Sequence, residues 1–336
     1  MTATSRRRVA GSVLPVLLAL LCVPAAVSAG AAPAADTSRT AAASPRAAAT
    51  TAPPAKRKPA KKKAAKKKAK KATPAPGSAP EPQPAPSVTI FDDEFSGPAG
   101  AAPSSAWNPQ APLIEGYGSV ETNTSTRANS SLDGKGDLLI TAQRAGSPGR
   151  YTYTSARLVT PAAYGPVMHV TARIRMPDQR GTWPTFCLLG GAPSGTDWPH
   201  KGEVDVAEVQ GSANPQVVYL SAHGSSAKPL VPGIDATRAG GDHWKSAGPV
   251  TTGVNEAAGF HNYGVTITAD TITWTFDHVV VKVLHKSDLT GDEQWSFTYA
   301  MHVVLNLSVG GSFVGPVPDD DVFPTSMVVD YVRVTR

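Results

Sequence analysis

The chain is 336 residues long with a formal charge of +6 and two cysteines, but the charge is split. Residues 1–87 hold 16 of the 32 Lys and Arg against Asp36 and Glu81 alone, a net of +14, while 88–336 hold 16 against 24 acids, a net of −8. The pI of 9.3 therefore describes the front of the chain, and the acidic remainder excludes a folded domain that binds nucleic acid.

The chain opens with Arg6, Arg7 and Arg8, an apolar run from Val13 to Val23 and the small-residue end Val27-Ser28-Ala29. That is the pattern of a secretory signal peptide over 1–29, too short and too early for a membrane span. Ser5-Arg6-Arg7-Arg8-Val9 also resembles a twin-arginine signal, so both export routes stay open. Leu21 before Cys22 argues against a lipoprotein anchor. Residues 30–87 are mostly Ala, Pro, Thr and Lys, with no aromatic and no large aliphatic residue. They cannot build a core and read as a disordered basic linker. Its lysine tract, Lys56 to Lys71, is expected either to contact cell-wall polyanions or an anionic surface, or to act as a charged, extended spacer.

The remaining 249 residues suit one large all-β domain, expected to be monomeric. Strands are expected over 88–95, 137–143, 151–160, 168–176, 182–189, 203–209, 217–223, 261–268, 271–276, 279–284, 300–309 and 326–334. No window of helical periodicity survives. Twelve strands in this length imply two packed antiparallel sheets. The Gly- and Pro-rich stretch 228–259 has the weakest pattern and reads as a long surface loop at the rim of a binding site. Once the signal is removed Cys187 is the single cysteine, so stability is expected from the core, with or without a metal.

The strand at 203–209 is unusual. It reads Glu203-Val-Asp205-Val-Ala-Glu208, and alternation places Glu203 and Asp205 on one face with Val204 and Val206 on the other. Glu208 falls on the wrong face unless a β-bulge near Ala207 returns it. The row then offers a long, a short and a long carboxylate, the outer pair with Cα atoms roughly 13 Å apart by strand rise and side chains able to lean together. Carboxyl groups brought to about 5–5.5 Å are what a retaining glycosidase needs. An exposed acidic face is the plain alternative, but three acids with no Lys or Arg between them would repel.

Seven further segments stand around this strand: Phe91-Asp-Asp-Glu94-Phe95, Tyr153-Thr-Ser155-Ala-Arg157, the run from Tyr164 to Pro177, Gly181-Thr-Trp183-Pro-Thr-Phe, Phe260-His261-Asn-Tyr263, Leu305-Asn306-Leu-Ser-Val-Gly310-Gly311, and the run from Phe323 through Asp330 to Val334. With the acid triplet they resemble glycoside hydrolase family 16 in its bulged Glu-x-Asp-x-x-Glu form, in order and across 88–336. The resemblance implies a concanavalin-like jelly-roll β-sandwich of two curved sheets with the acids in a concave groove. It implies Glu203 as nucleophile, Glu208 as general acid/base and Asp205 as their assistant. Trp183 and Trp198 are expected to stack on sugar rings. His223, Asn129, Arg157 and Asn306 are expected to hydrogen-bond hydroxyls. Trp274 and Tyr263 are left as core. No cofactor is required, but Asp330 with oxygens near Glu94 and Gly134 matches a structural calcium position away from the acids.

The implied activity is a secreted, endo-acting, retaining β-glucanase whose partner is a β-1,3 or mixed β-1,3/1,4 glucan. A transglycosylase, a hydrolase of another β-linked polysaccharide and a non-catalytic carbohydrate-binding protein remain as alternatives. Two departures leave the substrate open. Cys187 stands where an aromatic residue is common, and Gly224-Ser-Ser-Ala-Lys-Pro replaces the usual loop after His223.

Overall fold

The computed structural model describes residues 87–114, 116–191, 196, 198–226 and 243–336. The expected export signal and all but the last residue of the basic linker lie outside them. In chain order the strands are β1 (Thr89–Asp93), β2 (Asn108–Pro109), β3 (Leu113–Ile114), β4 (Glu121–Asn123), β5 (Ser130–Leu132), β6 (Leu138–Ala145), β7 (Thr152–Ser155), β8 (Arg157–Val159) and β9 (Met168–Arg175). They continue as β10 (Thr182–Gly190), β11 (Glu203–Glu208), β12 (Val217–Ser225), β13 (His243–Thr251), β14 (His261–Ile267), β15 (Thr271–Phe276), β16 (Val279–His285), β17 (Met301–Val309) and β18 (Thr325–Thr335). Two single-turn 3-10 helices, Gly211–Ala213 and Lys286–Asp288, are the only helices among the described residues.

Two sheets form a jelly-roll sandwich. An eleven-stranded sheet runs β16-β15-β14-β9-β18-β6-β7-β4-β3, with β1 added on β18 and β5 on β6. A seven-stranded sheet runs β13-β12-β11-β10-β17-β8-β2. The pairing is antiparallel except between β4 and β7. The larger sheet has the alternation of a layer with one solvent face: β9 and β15 bury every second residue. In contrast, every residue of β10 and β11 is buried, which suits the largely apolar and small composition of β10 and makes the three acids of β11 the exception.

Between the sheets, Ile140, Val170, Ile174 and Val265 pack in one core with Phe186, Leu188, Val204 and Leu305. Trp274 crosses this core completely buried, and its indole Nε1 donates to the Asp205 carbonyl oxygen at 2.9 Å. A tryptophan of the larger sheet thus anchors the backbone of the acid strand. The entry into β11 is set by close backbone approach. A Cβ on Gly190 would sit 1.7 Å from the Lys201 carbonyl oxygen, and Gly202 holds φ +76° immediately before Glu203.

One expectation is corrected here. The stretch 228–259 is not all loop, because 243–251 forms β13 at the edge of the seven-stranded sheet. Gly248 and Pro249 hide its pattern, and an edge strand tolerates both since one side of its ladder needs no donor. Residues 227–242 lie outside the described residues.

Candidate active site

Cross-strand register arranges the outer face of the seven-stranded sheet in rows, because directly opposed residues of an antiparallel ladder point to the same side. Glu203 opposes Leu189 on β10 and His223 on β12, and His223 opposes Lys245 on β13. Asp205 opposes Cys187 and Ser221. Glu208 opposes Thr185 and Tyr219, and Thr185 continues through Asn306 to Arg157.

Glu208 joins this face through a β-bulge. The ladder with β10 passes from Cys187 opposite Asp205 to Phe186 opposite Ala207, so Val206 is the extra residue. On the other side, Asp205 opposes Ser221 and Glu208 opposes Tyr219, leaving Val206 and Ala207 against Leu220 alone. Val204, Val206 and Ala207 all enter the core. The expected rotation of Glu208 back to its fellow acids is therefore present, centred on Val206 and Ala207.

The three carboxylates have different surroundings. Trp198 Nε1 donates to Glu203 Oε2 at 2.6 Å, and Trp183 Nε1 donates to Glu208 Oε1 at 3.0 Å. Asp205 Oδ2 accepts from the Ser221 hydroxyl in a very short bond and lies 3.1 Å from His223 Nε2. Single oxygens of Glu203 and Asp205 and the Cys187 sulfur lie within 4.8 Å of one another. His223 Nδ1 is 2.8 Å from His243 Nε2.

Burial pushes the Glu208 carboxyl well above the usual range, and the charge of Asp205 adds to that; Lys245 and the Trp183 indole act in the opposite sense. Burial also lowers His223 against the pull of Asp205, and takes His243 down to about 3 with help from His223 and Lys245. Both imidazoles are thus neutral near pH 7. The network then assigns His243 Nε2–H as donor to His223 Nδ1, and His223 Nε2–H as donor to Asp205.

Several expected roles change in kind. Trp183 is 5% exposed, with its ring packed on Phe313 at 5.0 Å between centroids, so it offers the site an N–H more than an open ring face. Trp198 is half-buried against His243 at 4.7 Å and likewise holds a glutamate. His223 has both ring nitrogens engaged and supports Asp205. Arg157 and Asn306 are brought together beside Thr185. Asn306 Nδ2 donates to Ser308 at 2.8 Å, while its buried Oδ1 has no donor among the described residues, which leaves an acceptor for a ligand hydroxyl.

Asn129 is bonded within the fold. Its Oδ1 accepts from Thr124 and Thr126, and its Nδ2 donates to the Thr141 carbonyl and to Thr154. That fills the bonding capacity of the amide, so Asn129 clips neighbouring segments together in this structure. Residues missed in sequence are Ser221, His243 and Lys245. Ser221 was within reach, two residues before His223 and so on its face. His243 and Lys245 lay in the supposed loop.

The expected calcium position is on the other sheet. Arg173 Nη1 lies 2.5 Å from Asp330 Oδ2, and Arg333 binds the Glu94 carboxylate. Gly134 sits at φ +84°. With those carboxylate oxygens taken by guanidinium groups, a hard cation there would have to rely on the second oxygen of Asp330 and on backbone carbonyls such as those of Glu94 and Gly134. Oxygens of that kind would suit Ca²⁺.

Comparison with known proteins agrees with this geometry. Residues 119–332 match the model of the Glycosyl hydrolases family 16, a span holding every strand of the seven-stranded sheet except β2. A beta-glucanase of Rhodothermus marinus is 34% identical over 234 residues, covering 66% of this chain and 76% of that protein. Among solved structures, the endo-1,3-beta-glucanase of Streptomyces sioyaensis is 30% identical with a TM-score of 0.60, covering 77% of this chain and 99% of that one. The laminarinase catalytic domain of Thermotoga maritima is 27% identical with a TM-score of 0.61, covering 74% and 98%. A family match of this extent, lying over the acid strand and the sheet that carries it, places the chain among the glycosyl hydrolases of family 16, as a glycoside hydrolase.

Proposed function

We propose that this chain is an exported, endo-acting β-glucanase that cleaves β-1,3 or mixed β-1,3/1,4 glucan by double displacement with retention. The observation that carries the reading is the unequal treatment of two glutamates on one face. Each glutamate receives an indole N–H, at 2.6 Å for Glu203 and 3.0 Å for Glu208, but burial and the charge of Asp205 push Glu208 toward its protonated form. In the first step Glu203 attacks the anomeric carbon as the Glu208 proton passes to the departing glycosidic oxygen. In the second, Glu208 takes a proton from water, the water oxygen bonds to the anomeric carbon, and the bond to Glu203 breaks. Asp205, held by Ser221 and His223, keeps the nucleophile oriented and spaces the outer glutamates. These side chains make every proton and bond transfer, so no cofactor enters the reaction. The glucan linkages come from the similar proteins, among them the endo-1,3-beta-glucanase of Streptomyces sioyaensis and an endo-1,3-1,4-beta-glycanase of Rhizobium meliloti of which this chain spans 38%.

The test is azide rescue. Glu208→Ala acting on an aryl glycoside with a good leaving group should regain turnover with azide and release a β-glycosyl azide. An α-azide would mean inversion and would overturn the assignment. Export through the 1–29 signal, and attachment of the Lys56 to Lys71 tract to anionic cell-wall polymer, complete the proposal. Any Ca²⁺ held near Asp330 is structural.

A further inference from the structure

Lys245 has no part in the reaction described above, yet it stands on the same face. Glu203, His223 and Lys245 form one row across β11, β12 and β13. Strands lie about 4.8 Å apart, so the Lys245 Cα is roughly 10 Å from that of Glu203. Its flexible four-carbon stem allows the ammonium to lean back toward the acids. The Nζ atom is buried and makes no hydrogen bond with any described residue. It feels the charges of Glu208, Asp205 and Glu203, which hold the ammonium up while burial draws it down. It therefore faces three carboxylates and donates to none of them.

A buried ammonium with its donors unmade is costly in a folded chain. In an active-site face the group that can fill those bonds is a ligand oxygen. We propose that Lys245 is a specificity-determining residue, whose ammonium donates to a hydroxyl oxygen of the bound sugar chain on the β13 side of Glu203. A hydroxyl fits better than an anionic substituent, because three carboxylates face the same space and would repel a second negative group. The inference rests on the glucanase reading given above.

The same charge acts on the acid/base. The groups that bear on Glu208 are Asp205 on its own strand, Trp183 on β10, Tyr219 opposite it on β12, and Lys245 on β13. Lys282 on β16 is pushed down to about 8 by burial, with Lys245 adding to it. Lys245 favours the ionised form of Glu208, so removing it should let Glu208 keep its proton to higher pH.

The experiment uses the full chain with Lys245→Met, and Lys245→Gln in its place if the first does not fold. On a soluble neutral β-1,3-glucan, KM should rise about tenfold to a hundredfold with kcat changed far less, and the alkaline limb of kcat/KM should move upward. A KM within twofold of the parent overturns the sugar contact, whether or not the limb moves. Calorimetric binding of a β-1,3-gluco-oligosaccharide to Glu203→Gln, with and without Lys245→Met, separates the two readings. If the parent does not hydrolyse glucan, the functional proposal fails, while a tenfold loss of affinity still upholds Lys245. Tighter, Lys245-dependent binding of a carboxymethylated glucan than of the neutral one would overturn the hydroxyl assignment in favour of an anionic substituent.

Discussion

Replacing Trp183 with Phe removes one N–H from Glu208 and leaves most of the ring's apolar bulk. The bond lost is the 3.0 Å donation to Oε1, and the other oxygen, Oε2, is buried with no partner among the described residues. The ionised carboxylate would then have no direct donor. A hydrogen bond to a charged group contributes about 1.5–3 kcal/mol and one to a neutral group about 0.5–1.5. The protonated and ionised forms therefore lose unequally, by about 1–1.5 kcal/mol, and 1.36 kcal/mol is about one pH unit. Since Glu208 must carry a proton when the glycosidic bond breaks, the alkaline limb of kcat/KM for Trp183→Phe should move up by about one unit. The assay is a pH series of kcat/KM on a soluble glucan, with far-UV circular dichroism to confirm the fold, because the ring also packs on Phe313. A limb that stays in place or moves down would refute the claim that this indole stabilises the ionised acid/base.

Three further outcomes are expected. Glu203→Gln should lose nearly all hydrolysis while keeping the parent melting curve and oligosaccharide binding; near-normal turnover would remove the nucleophile assignment. Glu208→Gln should stabilise the fold as pH rises. A carboxyl whose folded pKa is raised contributes stability fully present below the unfolded value, about pH 4.3, and lost as pH climbs through the folded value. The Tm advantage of the variant should therefore grow as pH rises from about 4, as read by calorimetry, and a constant advantage would contradict the raised pKa. Chelation with EDTA should lower Tm by a few degrees, reversibly on adding Ca²⁺, with turnover at room temperature unchanged. A Tm that ignores EDTA would remove calcium from the account.

The acid strand was legible because it breaks a rule. Three carboxylates in a β-patterned run make sense only on one face, and parity then demanded a bulge within two residues of its observed place. All twelve expected strands are present, although 151–160 divides at Ala156 into β7 and β8. The short strands β2 to β5 have only two or three residues each, too few to display a period. Lys245 and His243 could not be assigned, because only the register of β13 against β12 carries them to the acids. The indoles show a different limit. Sequence places Trp183 and Trp198 near the site, but whether a tryptophan offers its ring face or its N–H depends on packing partners such as Phe313 and His243, far away in the chain. The bonds of Asn129 were hidden for a similar reason, since its four partners lie on segments that only the fold collects.

The bulge at Val206 and Ala207 also changes what a one-residue deletion means. In most strands, removing a residue turns every later side chain to the opposite face and slips the ladder against its neighbours. Here the surplus residue is unmatched on both sides, and the pairings of Glu208 with Thr185 and Tyr219 already resume beyond it. Excising Val206 would give two regular ladders and leave all three acids facing outward. The catalytic strand can therefore exist in two lengths with one arrangement of functional groups, differing chiefly in local twist and in how closely the two glutamates approach. For this fold, a change in chain length at the most sensitive point of the molecule is a means of adjusting the site as well as a way of destroying it.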